Sequence, residues 1–400
     1  MRILFVNCVC GVGSTGRIVT DLMAHAKNQG NTVRVACSTI EPICGVEPNE
    51  VFTIGSKLDY YVHNILSRIT DHEGLFSVLE TKKLIKRIRK FNPDVVHIHN
   101  IHGHWINYEI FFKYLSESNK KVIWTLHDCW SFTGHCSNFS ILQCEQWRTH
   151  CLYCKGLRNY PKCYGRGDVS RNFDRKRTAF TSIKNLILVT PSNWLADLVK
   201  NSFFKNYPVI AIPNGIDLNI FHPIISDFKE KHGISRRKMI LGVANVWSER
   251  KGFNDVLKLR KMLDDSYSIV LVGLTEKQLE ELPDGIIGIH RTANAHELAE
   301  IYSAADVFVN PTYEDNFPTV NLEALACGTP VITYQTGGSG EAIDKNSGIT
   351  VNQGDINGLI DAISRMIELN TKDIIKRGLF FNKNTWYEKY LELYKKDAWK

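Results

Sequence analysis

Three carboxylates in the second half of the chain have a spacing that suits a polar ligand. Glu314 and Asp315 lie in a turn-rich stretch, and Glu323 follows Asp315 by eight positions inside a short helical pattern. The helix N-terminus between them offers N–H groups to an anion. The spacing therefore predicts a site for an extended ligand with hydroxyls at both ends and phosphates between them. The alternative is a helix with solvated acids before a buried strand.

Two adjacent cations, Arg250 and Lys251, follow the apolar strand pattern of residues 239–245. Open α/β sheets bind ligands at such strand ends, and a diphosphate offers these cations many acceptor oxygens. Because the sequence has no D-x-D motif suited to Mg²⁺-bridged phosphates, we expect catalysis to need no cofactor. Charge neutralisation would then fall to these cations and to helix N-termini. A solvated turn is the alternative.

A glycine loop follows the first strand pattern, with Gly11, Gly13, Ser14 and Gly16 opening a helix. Such glycines let the backbone approach a pyrophosphate, although a lone match is weak evidence. A nicotinamide cofactor would require an acid at the end of the second strand. That strand ends in Cys-Ser-Thr at 37–39, which argues against such a cofactor.

Histidines cluster at two further strand ends, and His99 and His127 are the candidates for contact with a ligand. A structural role is the alternative for each. A zinc hydrolase is disfavoured, because the cluster lacks the H-E-x-x-H spacing.

Six of the eleven cysteines fall between residues 129 and 163. In a protein of the reducing cytoplasm, clustered cysteines indicate metal ligands or reduced thiols. Cys151 and Cys154 have the spacing of one half of a tetrahedral zinc site, and Cys136 and Cys144 are the candidates for the other half. A structural zinc, free buried thiols and disulfides all stay open.

Repeated strand–helix alternation predicts two doubly wound parallel sheets. We expect a first domain over 1–205 with a Cys-rich insertion at 129–165, and a second domain over 206–384. A last helix at 385–400 is expected to return to the first domain. No apolar run is long enough to span a membrane and no signal peptide is evident, so we expect a cytoplasmic protein.

The net charge of +7 is unevenly distributed along the chain. Residues 1–215 contain 27 Lys and Arg against 16 Asp and Glu. The helical pattern Lys82–Lys90 pairs an apolar stripe with a basic face, which suits contact with an anionic membrane. A solvated peripheral helix is the alternative. Because no nucleic-acid-binding module is present, we expect no nucleic-acid partner.

Several motifs in a fixed order resemble those of retaining glycosyltransferases of family 4, which have the GT-B fold. Besides the acidic segment, they are Thr190-Pro-Ser-Asn-Trp194, Ile212-Pro-Asn-Gly-Ile-Asp217, Phe221-His-Pro223, Arg250-Lys-Gly252, Ala304-Ala-Asp-Val-Phe308 and Thr336-Gly-Gly-Ser-Gly-Glu341. The resemblance implies two Rossmann-like domains facing a central cleft, with the donor bound by the second domain and the acceptor by the first.

The resemblance also implies roles for individual residues. Glu323 would hold the ribose hydroxyls, either Asp315 or Glu314 would touch the sugar, and His127 would lie near it. The remaining donor-binding candidates are Gly13, Ser14, Gly16, Arg250, Lys251, Phe317 and Pro318. The family often has an Arg directly after the strand's glycine, where this chain has Ala244-Asn245, so Arg250 is the candidate substitute.

The function that the resemblance implies is transfer of a sugar, with retention, from a UDP- or GDP-linked donor to a glycan or lipid-linked oligosaccharide. Cysteine-bearing insertions like that at 129–165 occur in relatives that build bacterial surface polysaccharides such as O-antigen and exopolysaccharide. The alternatives are another GT-B enzyme, such as a nucleotide-sugar epimerase, or a non-catalytic nucleotide-sugar-binding protein. The expected location is the cytoplasm, with peripheral contact on the inner face of the membrane.

Overall fold

The computed structural model describes residues 1–39, 41–366 and 368–396, and the chain divides into two compact units. The first comprises Met1–Ile212 together with the C-terminal segment from Tyr387, and the second comprises Pro213–Trp386. Within the described ranges, no helix has both the length and the apolar character needed to cross a membrane.

The first unit is built on a seven-stranded parallel sheet. Its strands are β1 (Arg2–Val6), β2 (Thr32–Ser38), β3 (Val51–Ile54), β4 (Val95–Ile98), β5 (Lys121–Thr125), β6 (Leu186–Thr190) and β7 (Val209–Ala211). Its helices are α1 (Gly13–Asn28), α2 (Lys57–Thr70), α3 (Val78–Phe91), α4 (Tyr108–Glu117), α5 (Val169–Phe180) and α6 (Asn193–Lys200). The strand order is β3-β2-β1-β4-β5-β6-β7.

The second unit is built on a six-stranded parallel sheet. Its strands are β8 (Lys238–Val243), β9 (Tyr267–Val272), β10 (Ile286–Ile289), β11 (Val307–Asn310), β12 (Val331–Tyr334) and β13 (Gly348–Val351). Its helices are α7 (Phe228–Lys231), α8 (Phe253–Met262), α9 (Glu276–Glu280), α10 (Ala295–Ala304), α11 (Thr319–Ala326), α12 (Ile356–Met366) and α13 (Thr371–Leu379), and a last helix, α14 (Lys383–Lys395), follows. The strand order is β10-β9-β8-β11-β12-β13.

Both strand orders reverse direction beside the first strand of the sheet. β1 lies between β2 and β4, and β8 lies between β9 and β11, so successive crossovers leave in opposite directions. Such a reversal opens a crevice at the carboxyl ends of the two central strands. The loops that follow β1, β4, β8 and β11 therefore contain the candidate ligand-binding positions.

One strand belongs to the other sheet from the one predicted. The predicted boundary at 205/206 places the apolar run 209–212 in the second domain, but β7 pairs in parallel with β6 of the first sheet, with Val189 opposite Ile210. A short apolar run does not encode its partner strand, and tertiary pairing decides it. The edge strand β3 was not predicted, and only one of its four residues is buried.

Two helices that the sequence singled out have the following positions. In α3, Leu84, Ile85 and Ile88 are buried, and the basic residues from Lys82 to Lys90 are exposed. In α14, Tyr394 is buried and its hydroxyl lies 2.7 Å from Nδ1 of His97 in β4. The predicted helix extended to residue 400, but residues 397–400 lie outside the described part.

Candidate functional site

The reversal between β8 and β11 brings the predicted cations and acids to one edge of the second sheet. Arg250 and Lys251 lie in the loop after β8, and the acidic segment lies between β11 and α11. Nζ of Lys251 lies 2.6 Å from Oδ2 of Asp315, and the side chains are 22% and 20% exposed. Each predicted ligand-binding group is therefore the ion-pair partner of the other.

Backbone contacts hold these two loops together. Nη1 of Arg250 donates to the Glu314 carbonyl oxygen at 3.0 Å, and the Tyr313 N–H donates to the Arg250 carbonyl at 2.9 Å. Gly252 follows with φ +78°, and a Cβ atom there would lie 2.1 Å from the Pro311 carbonyl oxygen. Only glycine permits this approach, so it fixes the position of the preceding cations. Glu314 is buried.

Glu323 lies in α11 and has a buried tyrosine as its partner. The hydroxyl of Tyr302, in α10, donates to Oε2 of Glu323 at 3.1 Å. Burial, together with the nearby Glu323 carboxylate, raises the pKa of Tyr302 well above its usual range. The phenol therefore stays protonated and can orient the carboxylate. Tyr302 gave no signal in the sequence because it lies 21 positions before its partner.

Phe317 and Pro318 form the start of α11. Pro318 is the N-cap residue, and its side chain makes no capping hydrogen bond. Phe317 is 5% exposed and its ring centroid lies 5.9 Å from that of Phe381. The phenylalanine side chain therefore belongs to the core of the second unit, and its predicted contact with a donor stays a prediction.

In the first unit, the rings of His97, His99 and His127 lie next to one another near the carboxyl ends of β4 and β5. Nδ1 of His99 lies 2.9 Å from Nε2 of His127, and the rings stack with centroids 5.3 Å apart. Burial lowers the pKa of His127 to about 4, and burial also lowers the pKa values of His97 and His99 well below the usual range. These rings are therefore neutral near pH 7, which suits hydrogen bonding to a hydroxyl.

A histidine–aspartate pair next to these three histidines was not predicted from the sequence. Nε2 of His102 lies 2.8 Å from Oδ2 of Asp128. Burial alone would lower the pKa of His102, but the charge of Asp128 and its hydrogen bond outweigh burial, so the pKa of the imidazole is raised. The signal in the sequence was the acid directly after His127.

The glycine loop lies at the carboxyl end of β1 and opens α1. Gly13 is the first residue of the helix, has φ +64° and is exposed, as is Ser14. Gly16 is buried, and a Cβ atom there would lie 3.2 Å from the backbone nitrogen of Gly11. The side chain of Val12, the N-cap residue, makes no capping hydrogen bond. The predicted contact of this loop with a phosphate stays a prediction.

The cysteine-rich insertion packs on the aromatic core of the first unit. All eleven cysteines lie in the described part of the chain, and none of them is in a disulfide. Cys136 and Cys151 are buried, and Cys144 and Cys154 are half-buried. The hydrogen bond with Cys136 is the main reason why the pKa of Cys154 is lowered to about 6. The predicted zinc at these four sulfurs stays a prediction.

Two family models match the chain. One, described as Glycosyltransferase Family 4, matches residues 15–220, and the other, Glycosyl transferases group 1, matches residues 237–369. The chain belongs to glycosyltransferase family 4. This confirms the family that the motifs implied, and the two parallel-sheet units are those expected of its GT-B fold.

Relatives of this family-4 chain include named bacterial glycosyltransferases. A protein of Escherichia coli named as the colanic acid biosynthesis glycosyl transferase WcaC is 26% identical, over 67% of this chain and 66% of that protein. A Campylobacter jejuni N,N'-diacetylbacillosaminyl-diphospho-undecaprenol alpha-1,3-N-acetylgalactosaminyltransferase is 28% identical, over 54% of this chain and 62% of that protein. The matches thus span slightly less than two thirds of either relative.

Solved structures of the same fold include a sucrose-phosphate synthase from Thermosynechococcus elongatus. Its TM-score is 0.72 at 17% identity, with 98% of both chains covered. HepE from Anabaena, solved in complex with UDP, has a TM-score of 0.68 at 15% identity, with 98% of this chain and 99% of that chain covered. These likenesses confirm the GT-B fold of this family-4 member.

Proposed function

We propose that this chain is a retaining glycosyltransferase whose second unit binds a nucleotide-sugar donor. The main support is that Arg250, Lys251 and the acidic segment lie together where the strand order reverses between β8 and β11. Cations beside carboxylates at this edge suit a ligand that is anionic at its centre and rich in hydroxyls at its ends. The UDP complex of HepE supports a nucleotide as that ligand.

Each donor-site residue has a distinct role in this proposal. Glu323, oriented by Tyr302, accepts hydrogen bonds from the ribose hydroxyls, and Asp315 or Glu314 contacts the sugar. Charge grows on the diphosphate as the glycosidic bond breaks, and Lys251 and Arg250 stabilise it. The ion pair with Asp315 keeps Lys251 in place before the donor arrives.

The acceptor is proposed to be a growing surface polysaccharide on a lipid carrier. The name of the Campylobacter relative, with its diphospho-undecaprenol acceptor, supports this class. The neutral imidazole of His127 can hydrogen-bond to a sugar hydroxyl at the carboxyl edge of the first sheet.

A lipid-linked acceptor would require contact with a membrane, and α2 offers a surface for it. Six of its large apolar side chains are exposed on one face: Leu58, Tyr61, Val62, Ile65, Leu66 and Ile69. Their helical spacing is that of an amphipathic helix which has no protein partner for this face among the described residues. The exposed basic face of α3 adds attraction to anionic lipids. We propose that α2 and α3 together contact an anionic membrane surface.

The donor proposal is tested by incubating the purified chain with a panel of UDP- and GDP-sugars and a lipid-diphosphate sugar acceptor. Slow hydrolysis of one donor and transfer with retained configuration support a transferase. Inversion at C2 of the sugar would identify an epimerase instead. Tight binding of a donor without turnover would identify a binding protein.

The membrane proposal is tested by co-sedimentation with anionic and neutral vesicles. We expect binding to anionic vesicles only, loss of binding in Ile65→Asp and Ile69→Asp, and weakening at high salt. Leu379→Asp is the matched control, because Leu379 is 54% exposed but lies in α13 of the second unit. Equal loss of vesicle binding in all three variants, or equal binding to both vesicle types, would contradict the proposal.

A further inference from the structure

Three buried side chains that the proposed function does not use meet beside α2. They are His63 in α2, Glu73 in the loop before α3 and His104 in the loop after β4, and they are 1%, 7% and 8% exposed. One ligand atom of each lies within 4.8 Å of the other two. No other group of three such ligands was found among residues 1–39, 41–366 and 368–396.

The contact between two of these groups is unusual for a simple ion pair. Nδ1 of His104 and Oε2 of Glu73 lie 2.5 Å apart as a buried ion pair, and neither atom has a further hydrogen-bond partner in the described part of the chain. Buried polar atoms of this kind call for an explanation such as an ion. Both atoms would be satisfied by a cation between them.

The third ligand is held in the tautomer that a metal requires. The Ser77 hydroxyl donates to Asp59 at 2.7 Å, so it accepts a hydrogen bond from Nδ1–H of His63 at 2.8 Å. The proton of the neutral ring is therefore on Nδ1, and Nε2 presents its lone pair. Nε2 accepts a hydrogen bond from the Gly74 N–H at 3.2 Å, which a metal bound at this atom would replace. Hydrogen bonds at the other ring nitrogen orient metal-binding histidines in this way.

The backbone at His104 is also fixed for this arrangement. His104 has φ +65°, a conformation that non-glycine residues rarely adopt. Oε1 of Glu73 accepts the N–H groups of Gly103 at 2.7 Å and of His104 at 2.9 Å. The same carboxylate thus holds the loop with one oxygen and directs the other towards the histidine. Strained backbone of this kind often marks a functional site.

We propose that His63, Glu73 and His104 form a zinc-binding site that ties α2 to the loop after β4. Two imidazoles and one carboxylate suit Zn²⁺ and disfavour Mg²⁺, which prefers oxygen ligands. Zinc ligands at ~2.0 Å in a tetrahedron lie roughly 3.3 Å apart. The distance between Oε2 of Glu73 and Nδ1 of His104 therefore increases by about 1 Å when zinc binds, and water takes the fourth position.

The test compares zinc binding by the full-length chain and its variants after chelator treatment and dialysis against ZnCl₂. We expect Glu73→Gln and His63→Gln each to bind zinc at this site at least about tenfold more weakly and to contain one equivalent less than the unmodified chain. His72→Gln is the matched control, because His72 adjoins Glu73 but pairs with Asp168 at 2.8 Å. Unchanged zinc content in the two ligand variants, or no zinc in the unmodified chain, overturns the proposal.

Cobalt(II) gives a second readout that needs no variant and separates this site from the predicted cysteine site. Cobalt bound by imidazole and carboxylate shows ligand-field bands without thiolate-to-metal charge transfer. We expect the chain without substitutions to bind one equivalent of such cobalt after its cysteines have been alkylated. Cobalt that binds only through thiolates, so that alkylation abolishes all binding, overturns the proposal.

Discussion

The Lys251–Asp315 ion pair makes the sharpest test of the proposed donor site. Replacing Lys251 by Met removes the ammonium and keeps much of the apolar stem. Since both side chains are about a fifth exposed, loss of the pair alone should cost roughly 1 kcal/mol of folding stability. If Lys251 also binds the diphosphate, each lost charged hydrogen bond costs about 1.5–3 kcal/mol, which weakens nucleotide affinity about 10- to 150-fold.

Isothermal titration with the nucleoside diphosphate and with the bare nucleoside separates these two effects. We expect Lys251→Met to weaken binding of the nucleoside diphosphate and to leave binding of the nucleoside unchanged. Asp315→Asn is the matched variant, because it breaks the same ion pair but leaves the cation. It should lose similar stability and bind the diphosphate at least as tightly as the unmodified chain. Diphosphate affinity that is unchanged in Lys251→Met, or reduced equally in both variants, would refute the phosphate role.

Three further outcomes are expected. Glu323→Ala should weaken binding of the nucleotide and of the nucleoside alike by roughly 1.5–3 kcal/mol, as measured by titration. Unchanged affinity would exclude Glu323 as the residue that binds the ribose. The melting temperature should fall as the pH drops from about 6.5 towards 4, because buried His97, His99 and His127 have lowered pKa values and the unfolded chain binds more protons; a flat profile would contradict this. Cys151→Ser should lower zinc content by one equivalent and expose the 130–165 segment to protease if the cysteine zinc site exists, and equal metal content in variant and parent would exclude it.

The sequence predicted most of the fold because alternating apolar runs and helical stripes are local signals. The sequence patterns predicted strands at 32–38, 286–289 and 348–351, and β2, β10 and β13 have these bounds. The buried stripe of α3 is the predicted one. The assignment of β7 failed because strand pairing depends on residues far away in the chain. The edge strand β3 was missed, and only one of its four residues is buried.

For the candidate site, the motifs were enough to predict which residue types stand at the strand ends: the cations after β8, the acids after β11 and the glycines after β1. These follow from motif order and from the rule that parallel strands present their carboxyl ends at one edge. Only the tertiary structure decided their partners, such as Asp315 for Lys251 and Tyr302 for Glu323. It also decided that His63, Glu73 and His104 meet. Side-chain contacts across 10 to 64 positions depend on how helices and loops pack, and no local pattern encodes that packing.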